Sequence, residues 1–447
     1  MSKNNISLRI RFSILAPLAV LAGLLLLVLT GCPPAPTPSA PPYPQGYTPV
    51  TQFNTDSWNY DLYHKSSFMY GQMWYFNFVD EANDISGVVS FGANVSENPL
   101  IADQSNSANA MAMIIPNPAV REPFRVWSEK YPLSVPGNFY GSPTFSEGPG
   151  VYEYQNPAGY IDVLDPADPE GDILANTYHT AGSVTENGKM IAWDLTYERL
   201  GAPGWIPWKD WPFPYVLDLF GPSWMTYHMN MSSAKVNGTF VIYDGEELVT
   251  YDIVDAKGYH DGFYAELLFT NIAWNWADYK QWDESGNLDF SVVLHKPSGP
   301  AYSCEGGWDD CVPGNLRVYN EGTVYDFYRP EINIDYVAWA HDPEFNADYP
   351  TEEIITAEND TEYLCLHWTE LPGRLEKALW DLPDPMPDNT TFEMISQFDG
   401  AFYAKSGGGE CGACALACGA ECPACGTIVK DINGVGWSDY VSLPSTQ

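Results

Sequence analysis

Basic residues are scarce. Only 20 Lys and Arg stand against 58 Asp and Glu, giving a formal net charge of −38. A surface this negative repels nucleic acid and anionic lipid headgroups, so neither is an expected partner. The familiar nucleotide and hydrolase motifs are missing too. There is no Gly-rich phosphate loop, no Gly-x-Ser-x-Gly elbow, no His-Glu-x-x-His and no dinucleotide fingerprint. An ATP- or NAD-dependent activity is therefore not expected, and no cofactor is implied. The seven histidines are dispersed, with no spacing that resembles a metal site. No long segment carries a helical period, and only Arg374 to Trp380 reads as a short helix.

What the sequence does have is strand material. Hydrophobic residues make up 45% and aromatics 15% of 447 residues, ample for two cores rather than one. Met73 to Val79 and Ile85 to Phe91 are rich in strand formers, with a polar turn between them. Comparable runs follow at Gly159 to Leu164, Thr177 to Val184, Lys189 to Glu198 and Gly238 to Tyr243. More lie between Leu288 and Ile432. Many strands separated by Gly, Pro, Asn and Asp predict an all-β chain of antiparallel barrels or sandwiches.

Three segments read as irregular. Pro116 to Pro149 is dense in Pro, Gly and Ser, as expected of a long surface excursion. Asp162, Asp165, Asp168, Glu170 and Asp172 fall in one loop, either as solvated carboxylates or as oxygen ligands for Ca²⁺. Gly204 to Trp224 alternates aromatics with Pro and Gly, which suits a lid, a lipid-touching surface or a loop packed on a barrel.

Residues 1–31 read as an export signal: basic Lys3, Arg9 and Arg11 precede the apolar run from Ile14 to Leu29. Leu29-Thr30-Gly31-Cys32 resembles the lipobox of bacterial lipoproteins, which implies acylation of Cys32 and attachment to the cell envelope. A permanent transmembrane anchor is the other reading. Residues 32–51 form a Pro-rich tether, in which Pro33 to Pro49 should be extended and reach roughly 50 Å at about 3.1 Å per residue. The membrane is expected as a partner through that anchor alone.

Eight cysteines remain. Cys304 and Cys311 flank a short loop, for which a local disulfide is the simplest account. Cys365 lies on a strand. Cys411, Cys414, Cys418, Cys422 and Cys425 crowd a Gly- and Ala-rich insert at residues 405–427. Cys411, Cys414, Cys422 and Cys425 have the spacing of a tetrahedral thiolate site; the even total in an exported chain argues for disulfides instead.

Chemistry concentrates in Gly258-Tyr259-His260-Asp261-Gly262-Phe263-Tyr264, where a phenol, an imidazole and a carboxyl stand in a row. On a strand, Tyr259 and Asp261 point one way and His260 the other. A carboxyl in apolar surroundings holds its proton towards neutrality, so Asp261 is a candidate proton donor.

Several pieces in order resemble the family of carotenoid hydratases and AttH-type proteins, which have two packed lipocalin-like barrels. Gln72-Met73-Trp74-Tyr75-Phe76 is similar to its opening Glu-Trp-Trp-Tyr-Phe. Gly258 to Tyr264 is similar to its central Gly-Tyr-x-Asp-His-Asn-Trp-Gly, and Trp274-Asn275-Trp276 to the Trp-x-Trp that follows. Arg329-Pro330, Tyr349-Pro350-Thr351 and Gly434 to Tyr440 fit the second domain. The resemblance implies barrels at residues 52–268 and 269–447. It implies His228 as proton partner to Tyr259 and Asp261, with Trp74, Phe76, His260, Trp274 and Trp276 around a ligand. Gln72, Met73 and Gly262-Phe263-Tyr264 depart from the pattern, as does Asn230, which stands where a Trp should follow the His. Those departures, on a persisting scaffold, favour an envelope lipoprotein that binds a hydrophobic small molecule such as a terpenoid, pigment or lipid. The alternatives are hydration or isomerisation of an isoprenoid alkene, with Asp261 as donor, and a structural envelope protein.

Overall fold

A computed structural model describes residues 70–95, 107–134, 138–139, 153–156, 158–163, 177–201, 204–213, 223–266, 273–298, 314–328, 331–380, 389–405, 411 and 425–442. The expected signal, tether and Cys32 lie outside them, as do Cys304, Cys311, Cys414, Cys418, Cys422 and most of the acidic loop. Among the described residues there is no α-helix.

The first sheet begins with β1 (Tyr70–Asp80), β2 (Ile85–Val95), β3 (Ser107–Pro116) and β4 (Phe124–Trp127). Short strands β5 (Tyr131–Ser134), β6 (Asn138–Phe139), β7 (Glu153–Asn156) and β8 (Gly159–Val163) follow. It continues with β9 (Thr177–Glu186), β10 (Lys189–Arg199), β11 (Trp205–Phe213), β12 (Ser223–Tyr243) and β13 (Leu248–Glu266). The order is β6-β5-β3-β2-β1-β13-β12-β10-β9-β8-β7, with β4 on β3 and β11 on β12. The sheet curls until β4 approaches β9, where the Trp127 amide donates to Glu186 at 2.9 Å.

The second sheet holds β14 (Ala273–Trp282), β15 (Leu288–Ser298), β16 (Asn315–Asn320), β17 (Thr323–Tyr328) and β18 (Ile332–Asp342). Its last four strands are β19 (Ala347–Glu358), β20 (Glu362–Trp380), β21 (Asn389–Lys405) and β22 (Gly426–Ser442). Their order is β17-β16-β15-β14-β22-β21-β20-β19-β18. The fold is thus all-β and antiparallel, two packed barrels of lipocalin type. Turn chemistry supports it locally: Asn187-Gly188 takes φ of 51° and 79°, the two positive values that a tight hairpin between β9 and β10 demands.

Alternation sorts the apolar side chains into three layers. Trp74, Phe76, Phe91, Trp193 and Tyr197 fill the first barrel. Phe290, Leu364, Trp368, Phe392 and Phe402 fill the second. Between the sheets, Tyr75, Met111, Tyr227, Tyr259 and Phe263 from the first pack against Trp276, Ile395 and Trp437 from the second.

Three expectations need correction. Arg374 to Trp380 is not helical but the end of β20, paired with β21 from Leu375↔Met394 to Trp380↔Asn389. The neighbouring strand satisfies its backbone, which outweighs a weak helical preference. Gly204 to Trp224 is no simple loop, because Trp205–Phe213 forms β11. Pro116 to Pro149 contributes β4, β5 and β6 rather than a pure excursion.

Candidate active site

The stretch from Gly258 to Tyr264 runs mid-strand in β13, between β1 and β12. The period places its side chains as expected. His260 enters the first barrel, stacked on Phe76 with ring centroids 3.8 Å apart. Tyr259 and Asp261 face the layer between the sheets, not a barrel interior.

One Asp261 oxygen, Oδ2, accepts from two phenols, Tyr227 at 2.5 Å and Tyr259 at 2.7 Å. The two phenol oxygens lie 2.6 Å apart. The Trp276 indole donates to the Tyr259 hydroxyl at 3.3 Å, so the second sheet braces the group from its far side. Burial pushes the Asp261 carboxyl up to about 6, while the two phenols pull it back towards ionisation.

The facing row of the second sheet carries its own acids. Register aligns Trp276 with Asp439, and Asp439 with Glu393, across β14, β22 and β21. Glu393 Oε2 accepts from the Trp437 indole at 2.6 Å and from the Tyr75 hydroxyl at 3.1 Å. Tyr75 itself stands directly opposite Asp261 in the β1–β13 register. Burial pushes Glu393 up to about 7. Asp439 is held well above the carboxylate range by burial first, then by repulsion from Glu393 and Asp261. The Trp274 indole donates to it, yet its Oδ1 is buried with no hydrogen-bond partner. Below Trp276 on the same face of β14, Asp278 pairs with Lys280, whose ammonium lies 5.6 Å from the Tyr259 ring centroid. His295 stacks on Tyr227 at 4.0 Å, and desolvation lowers it to about 3, so it is neutral.

His228 lies elsewhere. It contacts Asn230 Oδ1 at 3.0 Å, and Asn230 contacts His260 at 3.0 Å, a polar chain on the first-barrel side of the sheet. The register shows the cause: Tyr227 pairs with Phe263, His228 with Gly262 and Met229 with Asp261, so His228 takes the face opposite to Asp261; a bulge follows at Asn230, beyond which Met231 pairs with His260. That bulge turns β12 over, so Met229 joins the inter-sheet layer and Met231 the barrel core. The phenol of Tyr227 takes the place beside Asp261 that the sequence suggested for His228. Gly262 fits the same arrangement, since a Cβ there would meet the Met73 carbonyl at 2.5 Å and His228 Cε1 at 2.6 Å.

The candidate ligand residues divide in the same way. Trp74, Phe76 and His260 are 0% exposed, buried on the first-barrel side of the sheet. Trp274 and Trp276 line the inter-sheet layer, where Met73, Trp127, Trp274, Tyr328 and Leu371 keep part of their apolar surface open. Sequence reasoning missed Tyr227, Tyr75, Glu393 and Asp439. The signal available was their alternation with core residues on strands otherwise apolar.

At the cysteine insert, Cys411 and Cys425 form a disulfide with Cα atoms 4.9 Å apart. Cys365 is disulfide-bonded as well, buried in the same small cluster. Among the described residues, no group of His, Cys, Asp or Glu has the arrangement of a metal site.

No known family profile matches the chain, and no curated protein matches its sequence. Solved structures do. CghA bound to Sch210972 aligns with a TM-score of 0.52 at 10% identity, over 84% of this chain and 89% of that one. An AttH-type protein from Nitrosomonas europaea aligns at 0.48 and 11% identity, over 89% of this chain and 100% of that one. Kievitone hydratase from Nectria haematococca aligns at 0.47 and 13% identity, over 83% and 89%. The chain has the two-barrel fold of CghA.

Proposed function

We propose that this chain is a cofactor-independent enzyme that moves protons on an apolar alkene held between its two sheets, in a hydratase or isomerase reaction. The observation that carries this reading is the meeting of Asp261, Glu393 and Asp439 in one buried layer, each from a different strand. Burying carboxyls costs several kcal/mol apiece, and a hydrophobic carrier has no use for them. Aromatic rings at Tyr75, Tyr259 and Trp276 suit a carbocation beside them.

The carrier reading keeps one argument, the open apolar surface at Met73, Trp127 and Trp274. It no longer has Trp74, Phe76 and His260, which are fully buried on the first-barrel side of the sheet. One experiment separates the two. The purified domain is incubated with an envelope lipid extract, and mass spectrometry follows retained and released compounds. A product heavier by one water, lost in Asp261→Asn, or a shifted double bond made by the wild type supports the enzyme. Ligand retained unchanged by both proteins overturns it.

Export and anchoring through Cys32 belong to the same proposal. Three disulfide-bonded cysteines within a small core, Cys365, Cys411 and Cys425, suit an oxidising compartment. Incorporation of labelled palmitate in the host, abolished by Cys32→Ala, would support the anchor.

A further inference from the structure

Resting on the proton-transfer reading above, we propose that Asp439 of the second sheet is the proton donor and that Asp261 is the proton acceptor. The hydrogen bonds divide the three carboxyls into two kinds. Asp261 receives two phenol protons on one oxygen, an arrangement that stabilises the anion. Glu393 likewise receives an indole and a phenol proton on one oxygen. Asp439 is close enough to both of these anion-stabilised groups to be repelled by each. It is Glu393's cross-strand partner, and its Oδ1 is buried and unpartnered. Two like charges in adjacent buried positions cannot both persist, so one proton must stay, and it stays where donors are fewest.

The ordering of proton affinities agrees: about 6 at Asp261, about 7 at Glu393, and well above the usual range at Asp439. The other ionisable groups in the layer do not reverse it. Lys280 is committed to Asp278, and His295 is neutral. Tyr75, Tyr227 and Tyr259 are all held well above their ordinary value and stay protonated, as donors.

The reaction then balances without any oxidant. The alkene π pair forms a C–H bond to the Asp439 proton, which leaves a carboxylate at Asp439 and a cation on the more substituted carbon. A water oxygen forms the C–O bond to that carbon, and Asp261 takes one water proton. The proton returns from Asp261 to Asp439, with Tyr75 and Glu393 along the path between them. The net change is one water added to the double bond. Donor and acceptor belong to opposite walls of the layer, so the alkene has to lie between the sheets.

The test uses the whole mature protein and 2,6-dimethyloct-2-ene as probe, in deuterated water. Wild type incorporates deuterium at carbon and adds water. Asp439→Asn loses both, by 100-fold or more. Asp261→Asn loses water addition but keeps deuterium exchange on carbon, since the cation still forms and reverts. The opposite pattern overturns the assignment, and so does equal loss of both signals in both variants. A wild type that does neither overturns the underlying reading as well. An infrared difference spectrum checks the assignment without turnover: at pH 7 the wild-type minus Asp439→Asn spectrum should show one protonated-carboxyl component that Asp261→Asn retains, over the constant background from Glu353, and that component should be gone from Asp439→Asn. Its persistence there would overturn the proposal.

Discussion

Glu393 and Asp439 are direct cross-strand partners on β21 and β22, and both side chains are buried. Like charges so placed repel, and the layer pays for them in stability. Asp439→Asn should therefore raise the melting temperature by several degrees at pH 8, where keeping a proton on Asp439 against its unfolded preference costs most. A differential scanning measurement checks it. A fall in melting temperature would show that Asp439 is a structural tie instead.

The pH dependence of stability follows from the same groups. Asp261 and Asp278 are pushed up to about 6, Glu393 to about 7 and Glu353 to about 8, all chiefly by burial. A carboxyl with a raised native pKa binds its proton more tightly when folded. Its contribution is complete below the unfolded value and is lost as pH rises through the folded one. The protein should melt highest near pH 4, about the unfolded values of these carboxyls, and lose stability steadily to pH 8. The large net negative charge acts in the same direction.

Tyr227→Phe removes one of the two donors to Asp261. Losing a hydrogen bond to a buried carboxylate costs about 1–3 kcal/mol. The Asp261 carboxyl should then titrate above its present value of about 6, because less favours its anion. Carbon-13 NMR of labelled aspartate reports that shift directly. On the proton-transfer reading, turnover near neutrality falls by roughly 10²-fold.

Strand period alone made part of this site legible. It separated Tyr259 and Asp261 from His260, and the structure keeps that division. It could not anticipate the register of β12 on β13, which sets His228 against Gly262 and leaves Tyr227, not His228, on the Asp261 face. Nor could it bring in Glu393 and Asp439, because sheet packing joins residues more than a hundred positions apart with no local signature. Local preference also misled at Arg374 to Trp380, where the partner strand β21 decided the conformation. Motif order conveyed the fold, whereas the chemistry emerges only where two sheets meet.

Gly262→Ala tests the close approach at the centre of β13. A methyl there meets the Met73 carbonyl and the His228 ring, and the expected cost is about 1–3 kcal/mol. Gly188→Ala offers a contrast, because nothing lies within 4 Å of the added methyl and only its φ of +79° penalises it. Urea melts should show the larger loss for Gly262→Ala, and a reversed ranking would contradict the packing around His228.

The disulfide between Cys411 and Cys425 closes the insert onto β20 and β21, where Cys365, Tyr363, Ala401 and Tyr403 form a small core of their own. Its sequence separation is 14, and a loop of about that length restricts the unfolded chain by about 3 kcal/mol. Cys365 is bridged too, so reduction releases more than one constraint on the same cluster. The cluster lies away from Asp261, in a different layer from the acids. Dithiothreitol should therefore lower the melting temperature while leaving the Asp261 titration unchanged. Serine at 411 and 425 should reproduce part of the drop without reductant. If reduction instead moved the Asp261 titration, the insert and the inter-sheet layer would have to be coupled, and the separation of structural and chemical residues drawn from the packing would fail.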